Sequence, residues 1–314
     1  MVNQSFTIRN VEFKNRVLVA SGTFGYGDEV KQLVDVNRLG GIVTKSLSWK
    51  PRDGNPPSRV VETPSGMLNS IGLANIGVHK FIDEKLPYLR TLDTTVVVNI
   101  AASSVQEYCD VLSLLDQEAG VGAYEINVSC PNVKEGGLHF GTSCDMVREI
   151  TSRLRSLTQK PLIIKLTPNV THISEFARAA EEAGADAVSV INTVVGMAVD
   201  IRTRKPKLST VTGGLSGPAI KPIALAKVYE VAQVVDIPIL GIGGISSVED
   251  AIEFLLVGAT AVQVGTMNFI DPAAGQKIAA GLVTYAEQQG LPDIGQLVGA
   301  MESNVEFSVL RSWL

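Results

Sequence analysis

The stretch IPILGIGGISSVEDAIEFLLVGATAVQVGT, Ile237–Thr266, reads as one strand–helix–strand unit. A β-branched apolar run ends in glycines, an amphipathic run follows, and a glycine stops that run before a second apolar strand. Neither strand alternates polar with apolar residues, as expected where both faces of a sheet are covered.

The same unit recurs along the chain. Six more runs have strand character: RVLVASG from Arg16, GIVTKS from Gly41, TVVVNIA from Thr95, AYEINVSC from Ala123, LIIKLTPN from Leu162 and DAVSVINT from Asp186. Helical patterns separate them, among them VHKFIDEKLPYLRTL, MVREITSRLRSLTQ, HISEFARAAEEAGA and ALAKVYEVAQVV. Eight strand–helix units in 314 residues predict a closed (β/α)8 barrel. The alternative, a doubly wound open sheet, normally has fewer strands and a glycine-rich first turn. The opening SFTIRNVEFKNRV reads as a hairpin capping the barrel floor. No linker or low-complexity tract divides the chain, so one domain is expected over residues 1–314. Two loops, Ser46–Asn75 and Val194–Lys221, are unusually long and are expected to wall the catalytic face.

Composition narrows the function. The 27 basic against 32 acidic residues leave a net charge of −5, with no basic run for nucleic acid. No apolar stretch approaches the roughly 18–20 residues of a membrane span. The start, MVNQSFTIRNVEFKNRV, lacks a signal-peptide pattern, so a cytoplasmic location is expected. The three cysteines form neither a disulfide framework nor a zinc motif. Cys109 lies in a helical pattern and Cys144 near a helix start, and both read as structural. His79 and His172 begin helical patterns and read as solvent-facing, and His139 sits in the glycine-flanked EGGLHFG.

In such a barrel, chemistry belongs at the C-terminal ends of the strands. Those ends carry Ser21-Gly22, Lys45-Ser46, Asn99, Asn127 to Cys130, Lys165, Asn192-Thr193, Gly243-Gly244 and Gly265-Thr266. A preference of turns for Asn, Ser and Gly explains the glycines. It does not explain two lysines inside apolar strands, because lysine is rarely buried unpaired. The last two ends, GIGGIS and VGTMN, are small enough to let backbone N–H groups approach a phosphate. A phosphate site after strands seven and eight, with lysines and asparagines across the mouth, suits flavin mononucleotide, FMN. Lys165 would then supply the cation near the flavin N1–C2=O edge.

The segments NVSCPNVKEGG, GNPPSRVVETPSGMLNSIGL, IIKLTPNVT, INTVVGMAVD, GGLSGPAIKPIAL, GIGGI and VQVGTMNF together resemble the class 1 dihydroorotate dehydrogenases. The resemblance runs in order from about Val17 to Phe269, and SGTFGYGDE and MLNSIGLANIGV look most like the NAD-linked class 1B catalytic subunits. One departure is Ile76, where the family pattern has a proline. By position, the resemblance implies FMN contacts from Ser21, Lys45, Ser46, Asn99, Asn127, Lys165, Ile191, Gly217, Gly243, Gly244, Gly265 and Thr266. It implies substrate contacts from Lys45, Asn69, Ser70, Ile71, Gly72, Leu73, Asn127, Asn192 and Thr193, with Asn132 a further candidate.

It also implies that Cys130 is the base, taking the C5 proton of dihydroorotate while the C6 hydride goes to flavin N5. A free thiol with a pKa near about 8.5 is close enough to working pH for that role. The competing reading of Cys130 is a small buried hydrophobe. Gly136 and Gly137 would hinge the segment after it as a lid. In class 1B the chain would pass electrons to an iron–sulfur flavoprotein subunit carrying FAD and a 2Fe–2S cluster, in a heterotetramer of two catalytic and two electron-transfer chains. The alternatives are the fumarate-linked class 1A enzyme, another FMN-barrel dihydropyrimidine or dihydrouridine oxidoreductase, and a barrel kept only as a binding module.

Overall fold

The computed structural model describes residues 2–129 and 142–303. Cys130, Asn132, Gly136, Gly137 and His139 lie outside the described residues. The chain opens with an antiparallel hairpin, β1 (Phe6–Ile8) and β2 (Val11–Phe13), in the register Phe6↔Phe13. The strands β3 (Val17–Val19) and β4 (Gly41–Val43) follow, then the pair β5 (Val60–Thr63) and β6 (Gly66–Asn69). Next come β7 (Thr95–Ile100), β8 (Ala123–Asn127), β9 (Leu162–Leu166) and β10 (Ala187–Val190). After them β11 (Val194–Met197), β12 (Val199–Asp200), β13 (Lys205–Pro206) and β14 (Thr212–Ser216) precede β15 (Ile239–Ile242) and β16 (Ala261–Val264).

Strands β3, β4, β7, β8, β9, β10, β15 and β16 close a parallel barrel in that order, β16 pairing back onto β3. All eight lie within the runs read as barrel strands. The helices α1 (Val78–Glu84), α2 (Leu86–Leu89), α3 (Val105–Asp116), α4 (Cys144–Arg155), α5 (Ile173–Glu182), α6 (Lys221–Ala232), α7 (Val248–Leu256) and α8 (Ala274–Gln288) cover the outside. Two details depart from the sequence pattern. The run from Val78 to Leu92 splits at Lys85, with Pro87 in the first turn of the second piece, because proline is tolerated there and not in a helix interior. Between β3 and β4 the described connection carries only a 3₁₀ turn, Val36–Arg38.

The barrel interior shows why residues two apart behave alike. Side chains alternate across a strand, so positions i and i+2 face the same way. The lower layer holds Leu18, Val43, Val97, Ala123, Ile163, Ala187, Leu240 and Ala261, and the hairpin closes it with Phe6, Ile8 and Phe13. Two residues further along the same strands stand Ala20, Lys45, Asn99, Glu125, Lys165, Ser189, Ile242 and Gln263. The floor is therefore apolar and sealed, and the polar layer sits directly above it.

The two long loops meet above the mouth. Strands β5 and β6 from the first and β11 and β14 from the second form one antiparallel sheet in the order β11-β14-β6-β5. Its central pairing sets Gly214 opposite Asn69 and Ser216 opposite Met67. Glu107 at the start of α3 anchors the first loop, accepting from the Trp49 backbone N–H at 3.1 Å and pairing with Arg52 at 3.4 Å. Cys109 is buried in α3, and His79 and His172 are exposed at helix starts, as the sequence reading expects.

Candidate active site

Seen from the strand ends, Asn99, Glu125, Lys165 and Gln263 of the polar layer form one connected network. Glu125 on β8 is fully buried, and both its oxygens are engaged. Oε1 accepts from Asn99 Nδ2 at 2.7 Å and from Lys165 Nζ at 3.3 Å, and Oε2 accepts from Gln263 Nε2 at 2.8 Å. Lys165 also donates to Ser21 Oγ at 3.2 Å, which ties β9 to the segment just past β3. The sequence reading singled out Lys165, Asn99 and Ser21 but missed Glu125 and Gln263. The available signal was the one used for the lysines, a charged or amide side chain inside an otherwise apolar strand.

One edge of the mouth is built of amides. Asn192 Nδ2 donates to Asn127 Oδ1 at 3.2 Å, and Asn192 Oδ1 accepts the Thr193 N–H at 2.8 Å. Asn169, also missed, donates to the Thr193 carbonyl at 3.1 Å. A Cβ at Gly214 would stand 2.1 Å from Thr193 Oγ1, so β14 lies directly against this edge, with Asn69 paired on its other side. The Asn69–Leu73 segment is held from outside, since Asn55 Nδ2 donates to the Ser70 carbonyl at 2.9 Å and the Asn55 N–H to that of Ile71 at 3.0 Å. Gly72 and Leu73 both adopt positive φ, at 74° and 57°, and the buried Ser70 hydroxyl has no partner among the described residues. An edge of this kind can both donate to and accept from a planar ring carrying carbonyl and N–H groups.

A second part of the mouth is built of small residues from three loops. Gly217, with φ at 94°, would bring a Cβ within 2.7 Å of Gly66 Cα and 3.6 Å of Thr266 Cγ2. A Cβ at Gly244 would meet the Gly217 carbonyl at 2.9 Å, and one at Gly243 would lie 3.6 Å from Ile191 Cγ1. Thr266 Oγ1 donates to Ser216 Oγ at 2.8 Å, closing the ring of contacts. Gly265 is open, with Ala20 Cβ at 3.6 Å as its one neighbour. Such a cradle lets a phosphate reach backbone N–H groups. The N-terminus of α7 is not part of it, because Asp250 there takes the Ser246 and Ser247 N–H groups and pairs with Lys221. The Gly217→Ala protein should lose about 2 kcal/mol of stability in urea unfolding, combining a left-handed alanine with a contact to backbone that cannot swing away. A loss below about 0.5 kcal/mol, the ordinary range for surface changes, would show that this close approach is not needed.

Lys45 and Ser46 are half-buried at the end of β4. Burial, and after it the charge of Arg59, lowers the Lys45 pKa, while Glu29 pulls it the other way. Its ammonium has no ion pair among the described residues, so it is available to an anionic group. The structure thus brings together Ser21, Asn99 and Lys165, joins Asn127, Asn192, Thr193 and Asn69 along one edge, and groups Ile191, Gly217, Gly243, Gly244 and Thr266 in the second part. Lys45 and Ser46, at the end of β4, make no side-chain hydrogen bond to these groups among the described residues.

Comparison with known proteins identifies the family. The family model described as "Dihydroorotate dehydrogenase" matches residues 4–285. A protein of Geotalea uraniireducens named "Dihydroorotate dehydrogenase B (NAD(+)), catalytic subunit" is 52% identical over 95% of this chain and 97% of its own. Proteins of the same name from Trichlorobacter lovleyi and Thermodesulfovibrio yellowstonii are 53% and 52% identical, over 95% and 94% of this chain and 98% and 97% of theirs. With half of all positions shared along nearly the whole length, this chain belongs to the dihydroorotate dehydrogenase family and is similar to its NAD-linked catalytic subunits.

Proposed function

We propose that this chain oxidises dihydroorotate to orotate in pyrimidine biosynthesis, as the FMN-bearing catalytic subunit of an NAD-linked enzyme. The observation that carries the reading is the pairing of a small-residue cradle, Gly217, Gly244 and Thr266, with a half-buried cation and an amide edge on the same mouth. The residues fit FMN on that ground. The cradle would take the phosphate, Lys165 and Ser21 would serve the polar edge of the ring, and Lys45, Ser46, Asn99, Asn127, Ile191, Gly243 and Gly265 would complete the contacts. Bound there, FMN supplies an acceptor at N5 for the hydride that leaves C6 of the substrate.

The chain's own residues do the rest. Asn127, Asn192, Thr193 and the Asn69–Leu73 segment hold the pyrimidine ring through paired donors and acceptors. Lys45 binds the carboxylate. Cys130, three residues past the end of β8, takes the C5 proton onto its thiolate, and the C5–C6 double bond of orotate forms as that proton and the C6 hydride depart. Its location in the cytoplasm, and docking to an electron-transfer subunit with FAD and a 2Fe–2S cluster in a heterotetramer, belong to the same proposal. Among the described residues, no helix is long and apolar enough to cross a membrane.

The test is anaerobic reduction of the FMN-loaded chain. Dihydroorotate should bleach the flavin, and dihydrouracil, which lacks the carboxylate for Lys45, should do so at least about tenfold more slowly, since a charge-assisted hydrogen bond contributes about 1.5–3 kcal/mol. Equal bleaching by the two would move the chain to another class of dihydropyrimidine oxidoreductase.

A further inference from the structure

Glu125 is the single acidic residue in the eight barrel strands, and it stands at the centre of the polar layer. It is fully buried, and Lys165, its cationic partner, is 5% exposed. Four strands converge on the carboxylate, because its donors come from β7, β9 and β16 while it stands on β8. A buried carboxylate is costly unless paired and hydrogen-bonded, and so is a buried ammonium. Here each makes the other tenable. Asn99 and Gln263 turn their amide N–H groups onto Glu125, which leaves Asn99 Oδ1 and Gln263 Oε1 without partners among the described residues. Both amides are therefore oriented by the carboxylate, not by their other neighbours. Lys165 meanwhile reaches upward to Ser21 Oγ at the strand end, so its ammonium bridges the sealed layer and the mouth.

We propose that Glu125 is a positioning residue for the redox step. Its carboxylate holds the Lys165 ammonium at the mouth and offsets part of its charge, so the negative charge that FMN gains on reduction meets a balanced ion pair and not a bare cation. Glu125 thereby sets how easily the flavin is reduced without touching it. The redox part rests on the FMN reading above, and the ion-pair part rests on this chain alone.

Two measurements separate them: the flavin midpoint potential of the FMN-loaded chain, by dye equilibration, and thermal melting of the flavin-free protein. In Glu125→Gln the uncompensated ammonium should favour reduced flavin at least tenfold, a rise of about 30 mV for a two-electron couple. Lys165→Gln should shift the equilibrium the opposite way, and the double variant should fall between the two. Without flavin, Glu125→Gln should melt well below the parent, and the double variant should regain part of the loss. A potential in Glu125→Gln that is unchanged or lower than the parent's overturns the redox role. Failure of the double variant to recover any stability overturns the ion pair. If Glu125→Gln does not fold, the double variant decides: folded, with a potential above that of Lys165→Gln, it upholds the proposal, and otherwise it refutes it. A parent chain that takes up no FMN sinks the functional reading and the redox role together, while the melting series still reports on the pair.

Discussion

Replacing Cys130 by alanine should slow anaerobic flavin reduction by dihydroorotate by about 10²–10⁴-fold, the usual effect of removing a general base. The C5 proton has to leave as the C6 hydride departs, and the polar groups gathered at the mouth are poorly suited to take it. Asn127 and Asn192 are amides hydrogen-bonded to each other, and Thr193 is an alcohol, so none of the three is a base of useful strength. Lys165 is ion-paired with Glu125 at 3.3 Å, and Glu125 is fully buried beneath it. Cys130, next to Ser129 past the end of β8, is the base that the resemblance implies. Flavin loading and orotate binding should survive the change, since neither depends on the thiol. Stopped-flow bleaching measures the rate, and near-parental bleaching in the alanine protein would remove Cys130 from the mechanism. Cys130→Ser should recover some rate only at higher pH, because a hydroxyl is a much weaker acid.

The second large effect concerns the electron acceptor. The purified chain with FMN should oxidise dihydroorotate with an artificial dye or oxygen, yet scarcely form NADH. Nearly all of the described chain is used by the barrel, its floor hairpin and the sheet over its mouth. No barrel strand is followed by the G-x-G-x-x-G turn of a dinucleotide fold, and three cysteines cannot supply the four thiolates of an ordinary 2Fe–2S cluster. Adding the iron–sulfur flavoprotein subunit should restore NADH formation. Brisk NADH production by the single chain would refute a separate electron-transfer partner, and efficient turnover with fumarate would favour the class 1A reading.

Much of this was legible before any coordinates. Parallel strands covered on both faces must be continuously apolar, so AYEINVSC and LIIKLTPN announced themselves, and a lysine or an asparagine within them stood out. Glu125 carries the same mark, but a search of strand ends passes over it because it lies two residues before Asn127. Cys130 was named through its motif, and it falls outside the described residues.

The local pattern by itself determined the eight strands, their order, the floor hairpin and the strand-end residues, because burial on both faces and the period of two act within a few residues of chain. Tertiary structure alone decided which of those residues meet. Asn69 and Gly214 are paired by a sheet built from two different loops. Gly217 abuts Gly244 although a whole helix separates them in sequence. Glu125 gathers donors from three other strands. Such contacts depend on the register of the closed barrel and on long loops crossing its mouth, and no short-range pattern carries that information.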